Sequence, residues 1–215
     1  METSQILAAM LAALPWTIAL TFGSFVGGAL LGIPICAMRI SKHKILRNIA
    51  IALILTLRSI PPIVWLFFIF FAFSQYVVQL SPFVAAIIGL ALITSANMAE
   101  IYRGALSAVP KGQYEATKVL GLSTWQKYVH VIVPQVVRIS VPAASTYCIG
   151  LLKDTAIAST IGVSELAQVA NHISQETFRG LSVYAIAGLL YFAVSVVMAL
   201  LSRQLDIHLR AKVER

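Results

Sequence analysis

Long apolar runs alternate along this chain with short polar stretches. A helix needs about 20 mainly apolar residues to cross a bilayer, and five segments meet that need: 13–38, 49–73, 82–106, 134–163 and 181–201. Each must be helical, because an open strand edge in hydrocarbon would leave its backbone donors and acceptors unsatisfied. The polar stretches fall into two kinds. Arg39, Lys42, Lys44 and Arg47 follow the first run, Lys111, Lys118 and Lys127 lie between the third and fourth, and Arg203, Arg210, Lys212 and Arg215 follow the fifth. No Lys or Arg precedes the first run or occupies 74–81, and 164–180 holds only Arg179. Positive residues collect in cytoplasmic loops, so the predicted orientation puts the N-terminus outside and the C-terminus in the cytoplasm.

Three stretches carry a finer pattern. Gly23, Gly27, Gly28 and Gly32 form two small-xxx-small pairs in the first run, which predicts a close approach by another helix. In "GVSELAQVANHISQETFRG", Ser164 is placed as an N-cap, Glu165 falls in the first turn and Gly180 can stop the helix. This predicts a short amphipathic helix on the outer face at about 164–180. The third stretch, about 107–133, is long for a plain connector. Lys111 and Gly112 precede a helix-forming run, 113–120; Gly121 can end it in the left-handed conformation; Ser123 and Gln126 then form a capping box for a second short helix.

Composition agrees with the membrane reading. The 215 residues are 59% hydrophobic and 11% charged, with a mean hydropathy of +0.87, against roughly 25% charged in soluble domains. The expected fold class is therefore all-α and integral to the membrane, a single domain over 13–205. The net charge of +8 is largely the loop charge already counted and calls for no nucleic acid. Cys36 and Cys148 stand in apolar runs without metal or disulfide spacing, and the N-terminus lacks the basic n-region of a cleaved signal peptide. His43, His130, His172 and His208 are scattered, so no metal site is expected. The sequence contains no GxxxxGK[ST], GxSxG or HExxH. No catalytic residue is assigned, and any ATP must be bound elsewhere.

Glu115, Ala116 and Thr117, three residues, Gly121, nine residues, and then Val131, Ile132, Val133 and Pro134 resemble the EAA signature of ABC importer permeases (EAA, three residues, G, nine residues, IxLP). Thr117 replaces the third alanine, and Val131 and Val133 replace Ile and Leu. The stretches "EIYRGALSAVPKGQYEA", "GLSTWQKYVHVIVPQ", "LLKDTAIASTIGVSEL" and "LRSIPPIVWLFF" extend the likeness to the polar amino acid branch, over about 14–205. The resemblance implies the type I ABC importer permease fold, a bacterial inner-membrane location and a cytoplasmic coupling helix. Glu115, Ala116, Gly121 and Gly112 would face an ATP-binding subunit. It also implies the partners: a dimer of that subunit holding ATP and Mg, a second permease (identical or related), an extracytoplasmic amino-acid-binding protein, and surrounding lipid. The function implied is ATP-driven translocation of a polar amino acid by alternating access. Alternatives are a permease of the same superfamily for another solute such as methionine, or a passive gated channel, which the EAA pattern argues against.

Charges inside the apolar runs mark a possible path, since each costs on the order of 3 kcal/mol at the bilayer centre. Arg58 lies about 13 Å and Glu100 about 9 Å from the inner surface on a regular helical rise, so they could pair, or Glu100 could meet substrate. Arg103 can snorkel to the interface. Asp154, beside Lys153, falls midway along the fourth run and either lines a polar path or is paired within the bundle. Thr94, Ser95 and Asn97 add hydrogen-bonding groups to the path or to helix contacts. Pro61 and Pro62 predict a bend or break in the second run.

Overall fold

The computed structural model describes residues 2–211; Lys212 and Arg215, counted above in the basic tail, lie outside them. Helix α1 is Thr3–Arg39 and α2 is Lys44–Ser59. Next come α3, Pro62–Phe67, a π-helical stretch, Phe68–Phe73, and one turn, α4, Ser74–Tyr76. Helix α5 is Pro82–Ala108, α6 is Lys111–Val119 and α7 is Thr124–Gln126, which runs through a π-helical stretch, Lys127–Ile132, into α8, Val133–Asp154. A 3-10 segment, Thr155–Ile161, precedes α9, Leu166–Thr177, and α10, Gly180–Ala211.

Four of these helical stretches are long and apolar enough to span a membrane: Thr3–Arg39, Pro82–Ala108, Thr124–Ile161 and Gly180–Leu209. The fifth candidate is a broken one, Lys44–Ser59 with Pro62–Phe73, bent by 101°. The two prolines cause the break. Ile60 is pushed into extended backbone (φ −90°, ψ 131°), as the residue before a proline is, and Pro62 then sits at the start of α3.

Helix α5 is the axis of the bundle, with most of its length buried against α1. The glycine stripe of α1 makes that contact possible. A Cβ at Gly28 would run into the Thr94 side chain and come within 2.8 Å of the Ala91 carbonyl oxygen, and one at Gly32 would lie 2.9 Å from Met98 Cβ. The predicted close helix approach is therefore between α1 and α5. One apolar cluster (Leu20, Leu66, Leu90, Leu151, Ile161) joins α1, α3, α5, α8 and the 3-10 segment. At one end of the bundle, Ile6 and Met10 pack on Leu166, Ile173 and Val183. At the other, Ala105 and Val109 meet Ile132 and Val136 beneath α6. Helix α10 buries only 6% of its apolar span within this subunit.

Several expected boundaries move. Helix α1 starts at Thr3 rather than near residue 13, because Ile6 and Met10 have α9 and α10 to cover them. The fourth span starts at Thr124, so the second short helix expected in 107–133 is the first turn of a long one. In α9, the N-cap is Glu165 and not Ser164, which stays exposed outside the helix. The helix ends at Phe178 in the left-handed conformation (φ 55°), and Gly180 opens α10 instead of stopping α9.

Candidate functional site

The element between α5 and α8 is a compact helix and turn, expected from the resemblance to act as a lever. Helix α6 begins at Lys111, so Gly112 lies inside its first turn, and it is closed by a Schellman motif. The Gly121 N–H donates to Lys118 O and the Leu122 N–H to Thr117 O, both at 3.1 Å. Gly121 takes φ +63°, a conformation that costs a side-chain-bearing residue roughly 1–2 kcal/mol. Ser123 Oγ then accepts from Gln126 N at 3.3 Å while the Ser123 N–H donates to Gln126 Oε1 at 3.0 Å. Both ends of the turn are thus satisfied from within it.

The lever has an inner and an outer face. Thr117, the residue that departs from the EAA pattern, is buried and donates its hydroxyl to Tyr114 O at 2.8 Å. Burial, with Tyr128 adding to it, raises the Tyr114 phenol above its usual pKa. Lys127 Nζ lies 5.1 Å from the Tyr114 ring centroid and 5.4 Å from that of Tyr128, within cation–π reach. Glu115 and Ala116 point outward. Beside them stand Val119, Leu120 and Trp125, which are 87%, 72% and 73% exposed. An apolar collar next to an exposed carboxylate is the composition of a protein-docking patch.

A second polar group lies in the bundle, around Tyr147. Its hydroxyl donates to Thr94 Oγ1 at 3.3 Å and accepts from Asn97 Nδ2 at 3.4 Å. The charges of Arg58 and Asp154 both act on this phenol. Arg58 is in the last turn of α2, just before the break, and Asp154 ends α8 where the chain tightens into the 3-10 segment. Both are exposed in the subunit and neither forms an ion pair among the described residues. Two helix irregularities, each with one charge of opposite sign, therefore lie near one tyrosine. Irregular backbone at membrane depth is tolerated where it lines a cavity or is covered by protein.

Other expected path residues go elsewhere. Glu100 does not pair with Arg58: its Oε2 lies 2.7 Å from Arg103 Nη2, and its Oε1 3.3 Å from Arg39 Nε without hydrogen-bond alignment. Arg103 is one turn away on the same helix, and the end of α1 is nearer than α2. Ser95 is fully buried and donates to Leu92 O at 2.6 Å, within α5. Its hydroxyl is thus engaged within its own helix. Asp154 and Lys153, adjacent in sequence, form no ion pair with each other.

At the opposite end of the bundle a carboxylate is buried. Glu165 has no exposed surface. Its Oε1 accepts from Gln168 N at 2.8 Å, and its Oε2 from Ala167 N at 2.9 Å and from the Tyr191 hydroxyl at 2.7 Å. Thr17 Oγ1 of α1 accepts from the next N–H, Leu166, at 3.0 Å. Burial raises the Glu165 carboxyl above the usual range, and the three donors pull part of that shift back.

Residues 19–211 match the family described as binding-protein-dependent transport system inner membrane component. The chain belongs to that family. Among the relatives of this permease are the nopaline transport system permease protein NocM of Agrobacterium fabrum, 33% identical over 95% of this chain and 90% of its own length. The L-cystine transport system permease protein TcyB of Bacillus subtilis is 36% identical over 89% of this chain and 84% of its own. A solved amino acid ABC transporter, crystallised with histidines, superposes with a TM-score of 0.86 at 31% identity, covering 94% of both chains. The MetNI methionine transporter superposes at 0.84 but at 21% identity, over 97% of this chain and 99% of its own, and shows the shared fold. The permease is thus a multi-pass component of the bacterial inner membrane with the type I ABC importer permease fold.

Sequence reasoning missed Tyr147 and the collar of Val119, Leu120 and Trp125. A tyrosine in an apolar run carries no signal of its partner, but three large apolar residues beside a capped polar turn could have been noticed.

Proposed function

We propose that this permease carries a polar amino acid inward through a path centred on Tyr147, powered by a separate ATP-binding subunit that docks on α6 and its collar. The observation that carries the path is the pair of opposite charges, Arg58 and Asp154, on two helix breaks near one phenol. An amino acid presents a carboxylate and an ammonium, and these two charges are its complement. The relatives' names, for nopaline and cystine, support the same substrate class.

The remaining assignments follow. The α6 end faces the cytoplasm, where an ATP-binding dimer holding ATP and Mg meets Glu115, Ala116 and the Gly121 turn, with Gly112 in the first turn of the lever. The α9 end faces outward and receives substrate from an amino-acid-binding protein. A second permease, identical or related, completes the path, and lipid or that partner covers α10. Movement of the nucleotide-binding dimer would shift α6 as a rigid body and turn the Tyr147 region from outward to inward exposure. Glu100, tied to Arg39 and Arg103, holds α1 to α5.

The test is uptake of a labelled amino acid panel by the complete set of subunits, with Asp154→Asn beside the parent. The expected result is ATP-dependent uptake of at least one amino acid, with its apparent affinity weakened about tenfold in the variant, as loss of one charged contact implies. Uptake that persists without ATP would establish a passive channel instead. Uptake restricted to a solute lacking an amino acid backbone would overturn the substrate class.

A further inference from the structure

Two clefts open at the α6 end of the bundle. One, beside α6, has Arg138 in its lining. The other, of about 410 Å³, lies between α1, α5 and the start of α8, and its lining is almost wholly apolar. That volume is ordinary for a small-molecule site, roughly 300–1,000 Å³. This second groove includes none of the Tyr147 group and none of the outward residues of α6.

The groove has a dry body. Along α1 it runs from Ile33 to Ile40, about 10 Å on the ordinary helical rise, against a hydrocarbon depth of about 15 Å for one leaflet. Two of its few polar groups are already engaged: the Tyr102 hydroxyl donates to Ala29 O at 3.2 Å and the Ser140 hydroxyl to Val137 O at 3.0 Å. A polar solute finds little to bind along such a wall, whereas a hydrocarbon chain gives up no hydrogen bond by entering.

The end of the groove, at Ile40 and Tyr128, is charged. Lys127 Nζ lies 5.4 Å from the Tyr128 ring centroid, and Lys127 makes no ion pair among the described residues. Its attraction to the ring is electrostatic and leaves the ammonium without a counter-ion. One turn before Ile40, Cys36 also lines the groove, and the charges of Glu100, Arg103 and Arg39 act on its thiol. Both arginines share the one Glu100 carboxylate, so this cluster keeps a net positive charge.

We propose that the groove holds one acyl chain of an anionic phospholipid, with the phosphate at Lys127 and in the field of the Arg39 and Arg103 pair. An apolar slot about two thirds of a leaflet long that ends in uncompensated positive charge is complementary to that molecule in shape and in sign. The groove shares Leu106 and Val136 with the apolar cluster beneath α6, so the seated chain extends that cluster. It touches α1, α5 and the π-helical joint between α6 and α8 together. The seat is independent of which solute the permease carries.

The experiment uses the full-length permease, with the subunits that purify with it, in phosphatidylcholine nanodiscs. A small share of the lipid carries a photoactivated diazirine on an acyl chain, as phosphatidylglycerol in one arm and as phosphatidylcholine in the other, and adducts are mapped by mass spectrometry. Adducts from phosphatidylglycerol should concentrate on residues 33–40 and 128–140, about fivefold or more above those from phosphatidylcholine, the scale of one basic residue at a membrane surface. K127Q should lower that labelling about fivefold and leave the phosphatidylcholine labelling unchanged. A37W sets an indole into the groove from an exposed position and should remove adducts there from both probes, with labelling of the lipid-facing residues 189–197 of α10 retained. Equal labelling of the groove by the two probes, undiminished labelling in K127Q or A37W, or a groove labelled no more densely than 189–197 overturns the proposal. A groove that takes neither probe while V137C cross-links to a second copy is a subunit contact, which also overturns it.

Discussion

The two ends of the bundle each carry a short polar helix, and they are held in opposite ways. Helix α6 and its turn satisfy their own ends, through the Gly121 Schellman bonds and the Ser123–Gln126 box. They lean on the bundle through a small cluster and the Gln113–Gln135 contact. Helix α9 is wired inward: its cap is a buried carboxylate bonded to Tyr191 of α10, and its first N–H is bonded to Thr17 of α1. A self-contained helix keeps its shape when pushed, so it can transmit a displacement. A helix whose cap is tied to two other elements moves only if they move. The difference suits one end to receive force and the other to stay rigid.

The strongest break of the comparison is Glu115→Arg. The side chain is exposed, so thermal stability should stay within about 1 °C of the parent, as for surface substitutions away from structural features. ATP-dependent uptake and co-purification of the ATP-binding subunit should fall by a factor of ten or more, in line with a hot-spot loss of about 2 kcal/mol. A large drop in melting temperature with docking retained would reverse the roles given to the two ends.

Glu165→Ala should do the opposite. It strips the acceptor from two backbone N–H groups and the Tyr191 hydroxyl, at a cost of about 2–3 kcal/mol. The melting temperature of the solubilised permease should drop by about 5–10 °C, while the ATP-binding subunit still docks. The titration of Glu165 adds a pH signature. Its folded pKa is raised above the usual 4.5, so its protonated form is favoured on folding. That contribution is complete below 4.5 and is lost as pH rises through the raised value. The parent should therefore melt at a higher temperature just below that pH than at neutrality, and the alanine variant should lack this component of the profile. Identical pH profiles for the two would remove Glu165 as its source.

The smallest effect is expected for Tyr191→Phe, which removes one of the three donors to Glu165. A loss of about 1 kcal/mol, or roughly 2–4 °C, is the scale of one hydrogen bond. Thermal melts of the single and double variants at Glu165 and Tyr191 would give the coupling directly, and strict additivity would argue against a shared cap.

Some of the candidate sites were legible from local chemistry. Gly121, Ser123 and Gln126 signal their turn within a few residues, because left-handed backbone and capping boxes are local requirements. The break at Pro61 and Pro62 is equally local. Glu100 was legible as a costly charge but not as the partner of Arg39, and Asp154 gave no hint that Tyr147 and Arg58 would share its neighbourhood. Those depend on which helix faces come together, and an apolar span offers almost the same hydropathy on every face.

The sequence by itself determined the membrane class, the break in the second apolar run, the α6 helix with its glycine turn and the family, because hydropathy, proline, glycine and motif spacing act over short stretches of chain. Only the tertiary structure decided that the α1 glycines admit Thr94 and Met98 of α5 and that Glu165 caps α9 from a buried site. It also placed Arg58 and Asp154 near Tyr147, and Arg138 in a cleft beside α6. Each of these is a meeting of residues far apart in the chain, settled by close packing of whole helices and by the cost of leaving a buried polar group without a partner.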